Sequence, residues 1–355
     1  MTIDCRTRAS LFQAYRPALI HLSHNLVAAA FPLMKIYPAW KCLETATAQG
    51  LVNPSTMVVE SSSGTMALGL AIACRWTQNK LVVVSDYACD VLIQTKLKNL
   101  GAIVEIVSGP AAVGGYQRAR LDRLHEIRAT AKDSWWVNQY DNCENAESYS
   151  DFAAQLIESL GRVDCLVGTV GSGGSICGTA RFLRTRFPKL VVIGVDTFRS
   201  ALFGQPDGPR VLRGLGNSIL PKNLDHTAFD EVHWVTAAEA YTATRLLHQQ
   251  TALFRGGTSG AAWLVAKYWA DRHPGSRTVC LLPDDGYRYL DSIYNDRYMQ
   301  ENHFWLSSLP STPREVEDPR YAGPCWTFMK WGRQTLGSVV AVHSASENNM
   351  LAAFS

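Results

Sequence analysis

Three stretches of this sequence have the residue types and spacing to hold small charged groups. Gly171-Ser172-Gly173-Gly174-Ser175 stands between a β-branched run and a helical one. Glycines there allow a tight turn that aims successive N–H groups at one spot. The positive end of the following helix adds to them, which suits a phosphate. The stretch lacks the Gly-Lys-Ser/Thr ending of a P-loop and the GxGxxG spacing of a dinucleotide fingerprint, and such a turn can also be a plain connection. Glu60-Ser61-Ser62-Ser63-Gly64-Thr65 again joins an apolar run to a helical one. Its consecutive hydroxyls and free helix N–H groups suit a carboxylate, with simple helix capping as the alternative. Asn138-Gln139-Tyr140-Asp141-Asn142 offers side-chain amides to a polar substrate, or merely a turn. Two anion cradles on two separate strand–helix units point to a ligand with a phosphate at one end, bound near a substrate carboxylate.

The elements that position these stretches alternate between strand and helix. Residues 56–60, 81–85, 102–107, 134–138, 165–169, 190–195 and 278–282 read as strands, rich in Val, Ile and Leu. Helical spacing covers 66–74, 88–100, 121–132, 150–160, 178–186, 237–250 and 258–270. This alternation predicts an α/β protein with mostly parallel sheets flanked by helices. Residues 109–115 (GPAAVGG) and 204–209 (GQPDGP) read as loops. Beyond about residue 309 the pattern weakens into a Pro- and charge-rich stretch, so 309–355 is expected as a C-terminal extension.

The 355 residues are enough for two lobes with their own cores. Charged residues make up 18% and the formal net charge is +3, without a basic block, which argues against nucleic acid as the main partner. No apolar run reaches the length of a membrane span, and the start is too polar for a signal peptide. The nine cysteines are scattered singly, which predicts reduced thiols in a cytoplasmic protein and no metal site.

In their order along the chain these motifs resemble the cysteine-synthase family of pyridoxal-phosphate (PLP) enzymes. VVESSSGTMALGLA resembles the family's substrate-carboxylate loop, GTVGSGGSICGTARFL its PLP-phosphate loop and NQYDNCEN its asparagine/glutamine loop. RGLGNSILP, with Gly214, resembles the glycine segment beside the cofactor, and GGTSGAA and LPDDGYRYLDSIYND the closing helix and strand. The likeness runs from about residue 35 to 300. It implies PLP fold type II, with 35–145 as the smaller lobe and 1–34 plus 146–308 as the larger, phosphate-binding lobe. It also implies a homodimer that takes small amino-acid substrates. Within the family the likeness is nearest to the siderophore-pathway synthases that join glutamate to the alanyl unit of O-phosphoserine. ESSSG, GGYQRARLDRL, WWVNQYDN and GVDTFRSALFG carry it.

The family needs one Schiff-base lysine that then acts as the base at Cα. Its usual Asn-Pro-x-x-Ser-x-Lys-Asp-Arg motif is absent here. Counting back from Gly50 by the family's interval lands on Lys35, fifteen residues earlier, among Phe31, Pro32, Leu33, Met34 and Ile36. Lys41 is the competitor, expected as a solvated surface charge. The resemblance further assigns the phosphate to Gly171, Ser172, Gly173, Gly174 and Ser175, and the substrate carboxylate to Ser61, Ser62, Ser63, Gly64 and Gln139. Thr65 stands where the family has the asparagine that contacts the cofactor's 3′-oxygen. Asp284 stands where it has the serine or threonine that faces the pyridine nitrogen; the alternative is that Asp284 and Asp285 both cap a loop.

The implied activity is β-replacement on a serine- or cysteine-derived amino acid through an aminoacrylate, giving a diaminopropionate derivative with an amine or a thioether with a thiol. Two rivals stay open. One is an eliminase that releases pyruvate and ammonia; the other is a PLP-fold binding subunit without catalysis.

Overall fold

The Val- and Leu-bearing runs at 81–85, 165–169 and 278–282 become strands buried along their whole length. The computed structural model describes residues 5–112 and 115–341. Residues 113–114 of the GPAAVGG loop and 342–355 of the extension lie outside the described residues. In chain order, α1 (Cys5–Gln13) precedes β1 (Ala18–His21), β2 (Leu26–Ala30) and α2 (Ile36–Ala48). There follow β3 (Met57–Ser61), α3 (Thr65–Thr77), β4 (Leu81–Ser85), α4 (Val91–Asn99), β5 (Ile103–Ile106), α5 (Gly115–Thr130), β6 (Ser134–Trp136) and the short α6 (Glu144–Glu147). Next come α7 (Ser150–Leu160), β7 (Cys165–Thr169), α8 (Gly174–Arg186), β8 (Val191–Thr197), β9 (Glu231–Val235), α9 (Ala237–Thr251), α10 (Gly257–Arg272) and β10 (Thr278–Leu282). α11 (Asp296–Glu301), β11 (Arg314–Glu315) and β12 (Thr327–Lys330) complete the order.

The chain divides into two compact units, 1–17 with 31–151 and 18–30 with 152–355. The first holds a four-stranded sheet in the order β5-β4-β3-β6, with every pairing parallel. Leu43, Leu70, Ala73 and Ile93 from its helices pack with Val58 and Val83 of the sheet. The second holds an eight-stranded sheet in the order β1-β2-β10-β7-β8-β9-β12-β11. Its centre, β2 to β9, is parallel, and β1 and β12 pair antiparallel with β2 and β9. Parallel strands covered by helices on both faces are mostly apolar and buried, and β7 and β10 are buried throughout.

Two expectations about organisation are corrected. Residues 1–34 do not go together to the larger unit: the stretch after α1 splits, and only 18–30 joins it. α1 stays with the smaller unit because Phe12 meets Tyr37 edge-on at 4.9 Å and Arg8 lies over Trp40. Nor are 309–341 an appended arm. β12 completes the sheet beside β9, and Trp326 and Trp331 are buried there, with Trp326 Nε1 donating to His233 Nδ1 at 3.1 Å.

Candidate active site

In the smaller unit, Lys35 is the N-cap residue of α2. It is partly buried as a residue, and desolvation of its amine brings the pKa down to about 8, against smaller upward effects from Cys42 and Glu60. Its carbonyl lies against α3 so closely that a Cβ on Gly69 would stand 2.6 Å from the Lys35 oxygen. Only glycine permits that approach, which fixes the lysine's backbone between two helices. Lys41 lies farther along α2 and is partly exposed.

The serine stretch lies where β3 gives way to α3. Ser61 ends the strand, Ser62 is buried, Ser63 is partly buried, and Thr65 opens the helix. Gly64 is the N-cap of α3, and its N–H donates to the Ser62 hydroxyl at 3.3 Å. Glu60, one residue earlier, organises the stretch. Its carboxylate accepts the Ser61 N–H at 2.7 Å and the Gln139 N–H at 3.2 Å. Gln139, buried, returns its side-chain amide to the Ser61 carbonyl at 3.3 Å, and Asn145 donates to the Gln139 carbonyl at 2.6 Å. Asn138 turns the chain with φ 53°, a conformation that asparagine tolerates. Burial raises the Glu60 pKa to about 7. Sequence reasoning placed Glu60 in the stretch without a role and singled out neither Gly69 nor Asn145; the hydrogen bond that gives Glu60 its role, from Gln139, spans 79 residues.

In the larger unit, β7 runs into Gly171–Ser175 and α8 begins at Gly174, four residues before the helix expected from sequence. Gly173 is its N-cap at φ 81°, with no side-chain cap, so the first-turn N–H groups face the loop. A Cβ on Gly173 would lie 2.6 Å from the Leu224 backbone, and one on Gly171 would lie 3.0 Å from the Gly214 oxygen. Ser172 and Ser175 are buried beside them. Gly214, at φ 88°, packs in turn against Thr258 in the first turn of α10.

At the end of β10 the two aspartates behave differently. Asp285 accepts the Tyr287 N–H at 3.0 Å, as a loop cap does. Asp284 is buried. One of its oxygens accepts the Tyr289 hydroxyl at 2.8 Å, and the other is enclosed with no hydrogen-bond partner among the described residues. Gly256 makes room for that second oxygen, since a Cβ there would lie 2.4 Å from it. Burial raises the Asp284 pKa to about 6.

These residues fit a phosphorylated cofactor with a basic ring atom. The uncapped start of α8, with two buried hydroxyls, supplies donors for a phosphate, and the orphaned oxygen of Asp284 is an acceptor that lacks a donor. The family model described as pyridoxal-phosphate dependent enzyme matches residues 34–284. The chain belongs to this family. The enzyme is 36% identical over 269 residues to an N-(2-amino-2-carboxyethyl)-L-glutamate synthase of Ralstonia nicotianae, a match that covers 75% of this chain and 80% of that one. Among solved structures, the O-acetylserine dependent cystathionine beta-synthase of Helicobacter pylori aligns over 79% of the enzyme and 96% of its own chain, with a TM-score of 0.73 and 26% identity. A hydrogen sulfide-producing enzyme of Fusobacterium nucleatum, 24% identical, shares the fold over 77% of this chain and 96% of its own, with a TM-score of 0.72. The enzyme is thus PLP-dependent and of the cysteine-synthase type. Among the described residues no cluster could hold a metal ion, and no helix is long and apolar enough to cross a membrane.

Proposed function

We propose that this enzyme replaces the leaving group on the β-carbon of a serine derivative with the amine of a second amino acid, O-phosphoserine and glutamate being the first pair to test. The C–O bond at Cβ breaks, phosphate departs, and a C–N bond forms with loss of the amine's proton. The reading rests above all on Lys35, which is set at the start of α2 with its backbone packed against Gly69, and whose amine desolvation brings down to a pKa of about 8, within reach of a nucleophile and base. The product named for the Ralstonia relative favours an amine over a thiol as the incoming group.

Bound PLP supplies an electron sink for charge that develops at Cα. In this reading Lys35 carries the cofactor and, once released, moves the α-proton. Gly171, Ser172, Gly173, Gly174 and Ser175 would hold the phosphate, and Gly214, whose carbonyl approaches Gly171, would lie beside the cofactor. Thr65 meets the 3′-oxygen, and the free oxygen of Asp284 takes the ring nitrogen. Ser61, Ser62, Ser63, Gly64 and Gln139 bind the substrate carboxylate, while Glu60 acts as a positioning residue that ties Ser61 to Gln139. A homodimer in the cytoplasm belongs to the same reading; the scattered single cysteines support the compartment.

The experiment is to incubate the holoenzyme with O-phosphoserine and nitrogen-15 glutamate and to follow products by mass spectrometry. A labelled adduct of the two amino acids supports the reading. Pyruvate with no adduct, whichever amine or thiol is added, assigns elimination instead, and no turnover of any serine derivative assigns a binding subunit.

A further inference from the structure

We infer that the larger unit carries a second small-molecule site, a pocket for a small carboxylate at the C-terminal ends of β8 and β9. The cavity measures about 570 Å³, inside the range of about 300–1,000 Å³ that small-ligand pockets occupy. Its walls come from the end of β8, the GQPDGP loop, the start of α9 and the segment around 320–324, which lies beyond the span matched by the family model. None of the residues assigned above to PLP or to the reacting amino acid lines it.

Among the described residues, the Arg199 guanidinium of the pocket wall has no ion pair, whereas its charged neighbours do. Asp207 is paired with Arg210 at 2.6 Å, and Arg320 with Asp318 at 2.7 Å. The Glu239 carboxylate is occupied by the backbone N–H groups of Thr236 and Trp326. The Arg199 guanidinium has neither an ion pair nor a hydrogen bond among the described residues, and it is exposed on the pocket wall.

The second observation is Gln205. It is only 8% exposed, its side-chain oxygen accepts the Arg199 N–H at 2.9 Å, and its side-chain nitrogen is buried without a partner. A buried amide donor without an acceptor is costly, and Gln205 is one of the residues around the cavity. Thr236, the N-cap of α9, lines it too, its N–H and hydroxyl both turned to the Glu239 carboxylate in a capping box. Phe198, Pro206, Pro209 and Pro324 supply the apolar wall for a carbon chain. The loop is set in advance: the Arg199 carbonyl accepts the Gly208 N–H at 3.1 Å and a nitrogen of Arg210. One guanidinium, one amide donor and an apolar wall match a carboxylate on a short aliphatic body, of amino-acid size.

Glutarate is the probe, since it has no amine and cannot react. Saturation-transfer NMR on the holoenzyme should detect its binding at millimolar concentration. Arg199→Asn removes the charge while tolerating the left-handed φ of 60° at that position. Gln205→Glu keeps the acceptor for the Arg199 N–H and replaces the orphaned donor with an oxygen. Each variant should weaken glutarate by about tenfold or more, as loss of a hydrogen bond to a charged group does. Ser62→Ala should leave glutarate affinity unchanged. The inference is overturned if the wild type binds no glutarate, if either pocket variant keeps wild-type affinity, or if Ser62→Ala abolishes binding. The β-replacement assay with O-phosphoserine is read separately, so failure here is distinct from failure of the proposed reaction.

Discussion

One carboxylate oxygen of Asp284 accepts the Tyr289 hydroxyl at 2.8 Å, and the other lies enclosed with no hydrogen-bond partner among the described residues. A buried acceptor left unpaired costs on the order of 1–3 kcal/mol, more for a charged group, and the protein meets part of that cost by raising the Asp284 pKa to about 6. A protonated ring nitrogen would supply the missing donor and favour the ionised carboxylate.

Asp284→Ser should therefore change the cofactor rather than the fold. With PLP labelled at its ring nitrogen, nitrogen-15 NMR should show a protonated nitrogen in the wild type and an unprotonated one in the variant. Asp285→Ala should leave that signal alone and lower stability by about 1 kcal/mol, the usual cost of a lost cap. The same nitrogen signal in wild type and Asp284→Ser would remove Asp284 from the ring.

Glu60→Ala leaves the buried N–H groups of Ser61 and Gln139 without acceptors. The expected loss of stability is about 1–3 kcal/mol for each donor left buried, measured by denaturant unfolding. Since the same bonds hold the serine stretch against Gln139, KM for the serine derivative should rise more than kcat falls. A drop in stability with unchanged KM would make Glu60 a purely structural residue.

Gly173→Ala should weaken PLP retention. The residue sits at φ 81°, and a Cβ would lie 2.6 Å from the Leu224 Cα, so the loop has to shift. The left-handed conformation alone costs alanine about 1–2 kcal/mol. Equilibrium dialysis of PLP, beside a melting curve of the cofactor-free protein, separates the two effects. Unchanged retention in a destabilised variant would move the phosphate elsewhere.

Much of this arrangement was legible in the sequence, and the exceptions have physical causes. β7 and β10 announce themselves as Val- and Leu-rich runs, and their ends carry Gly171–Ser175 and Asp284. β2 does not, because its LVAAA sequence is poor in the residues that favour strands; it is a strand because β1 and β10 pair with it on either side. β12 hides behind a stretch rich in proline and charge, and its antiparallel pairing with β9 is a long-range contact that no local pattern encodes. The serine hydroxyls and Glu60 beside them were visible, whereas the organising role of that carboxylate was not. Asp284 and Asp285 are chemically identical in the sequence, and only the fold turns one toward a backbone N–H and encloses the other.

Burial of Lys35 has a signature in the pH dependence of the cofactor-free protein. Its amine has a pKa of about 8 in the folded state and 10.5 as an ordinary lysine. Between these values the unfolded chain binds the extra proton, so stability rises with pH across that window. Below about pH 8 the cost of charging the buried amine is present in full. Lys35→Met should remove this rise, a difference of about 3 kcal/mol at most, at about 1.4 kcal/mol per pH unit. Parallel stability curves for wild type and variant would contradict the desolvated amine.

The most direct measurement is borohydride reduction of the holoenzyme followed by peptide mapping, which fixes PLP on the lysine that carries it. The account predicts the label on the peptide containing Lys35, and no label in Lys35→Ala while Lys41→Ala is labelled as the wild type is. Label on Lys41, or on any lysine other than Lys35, would contradict it.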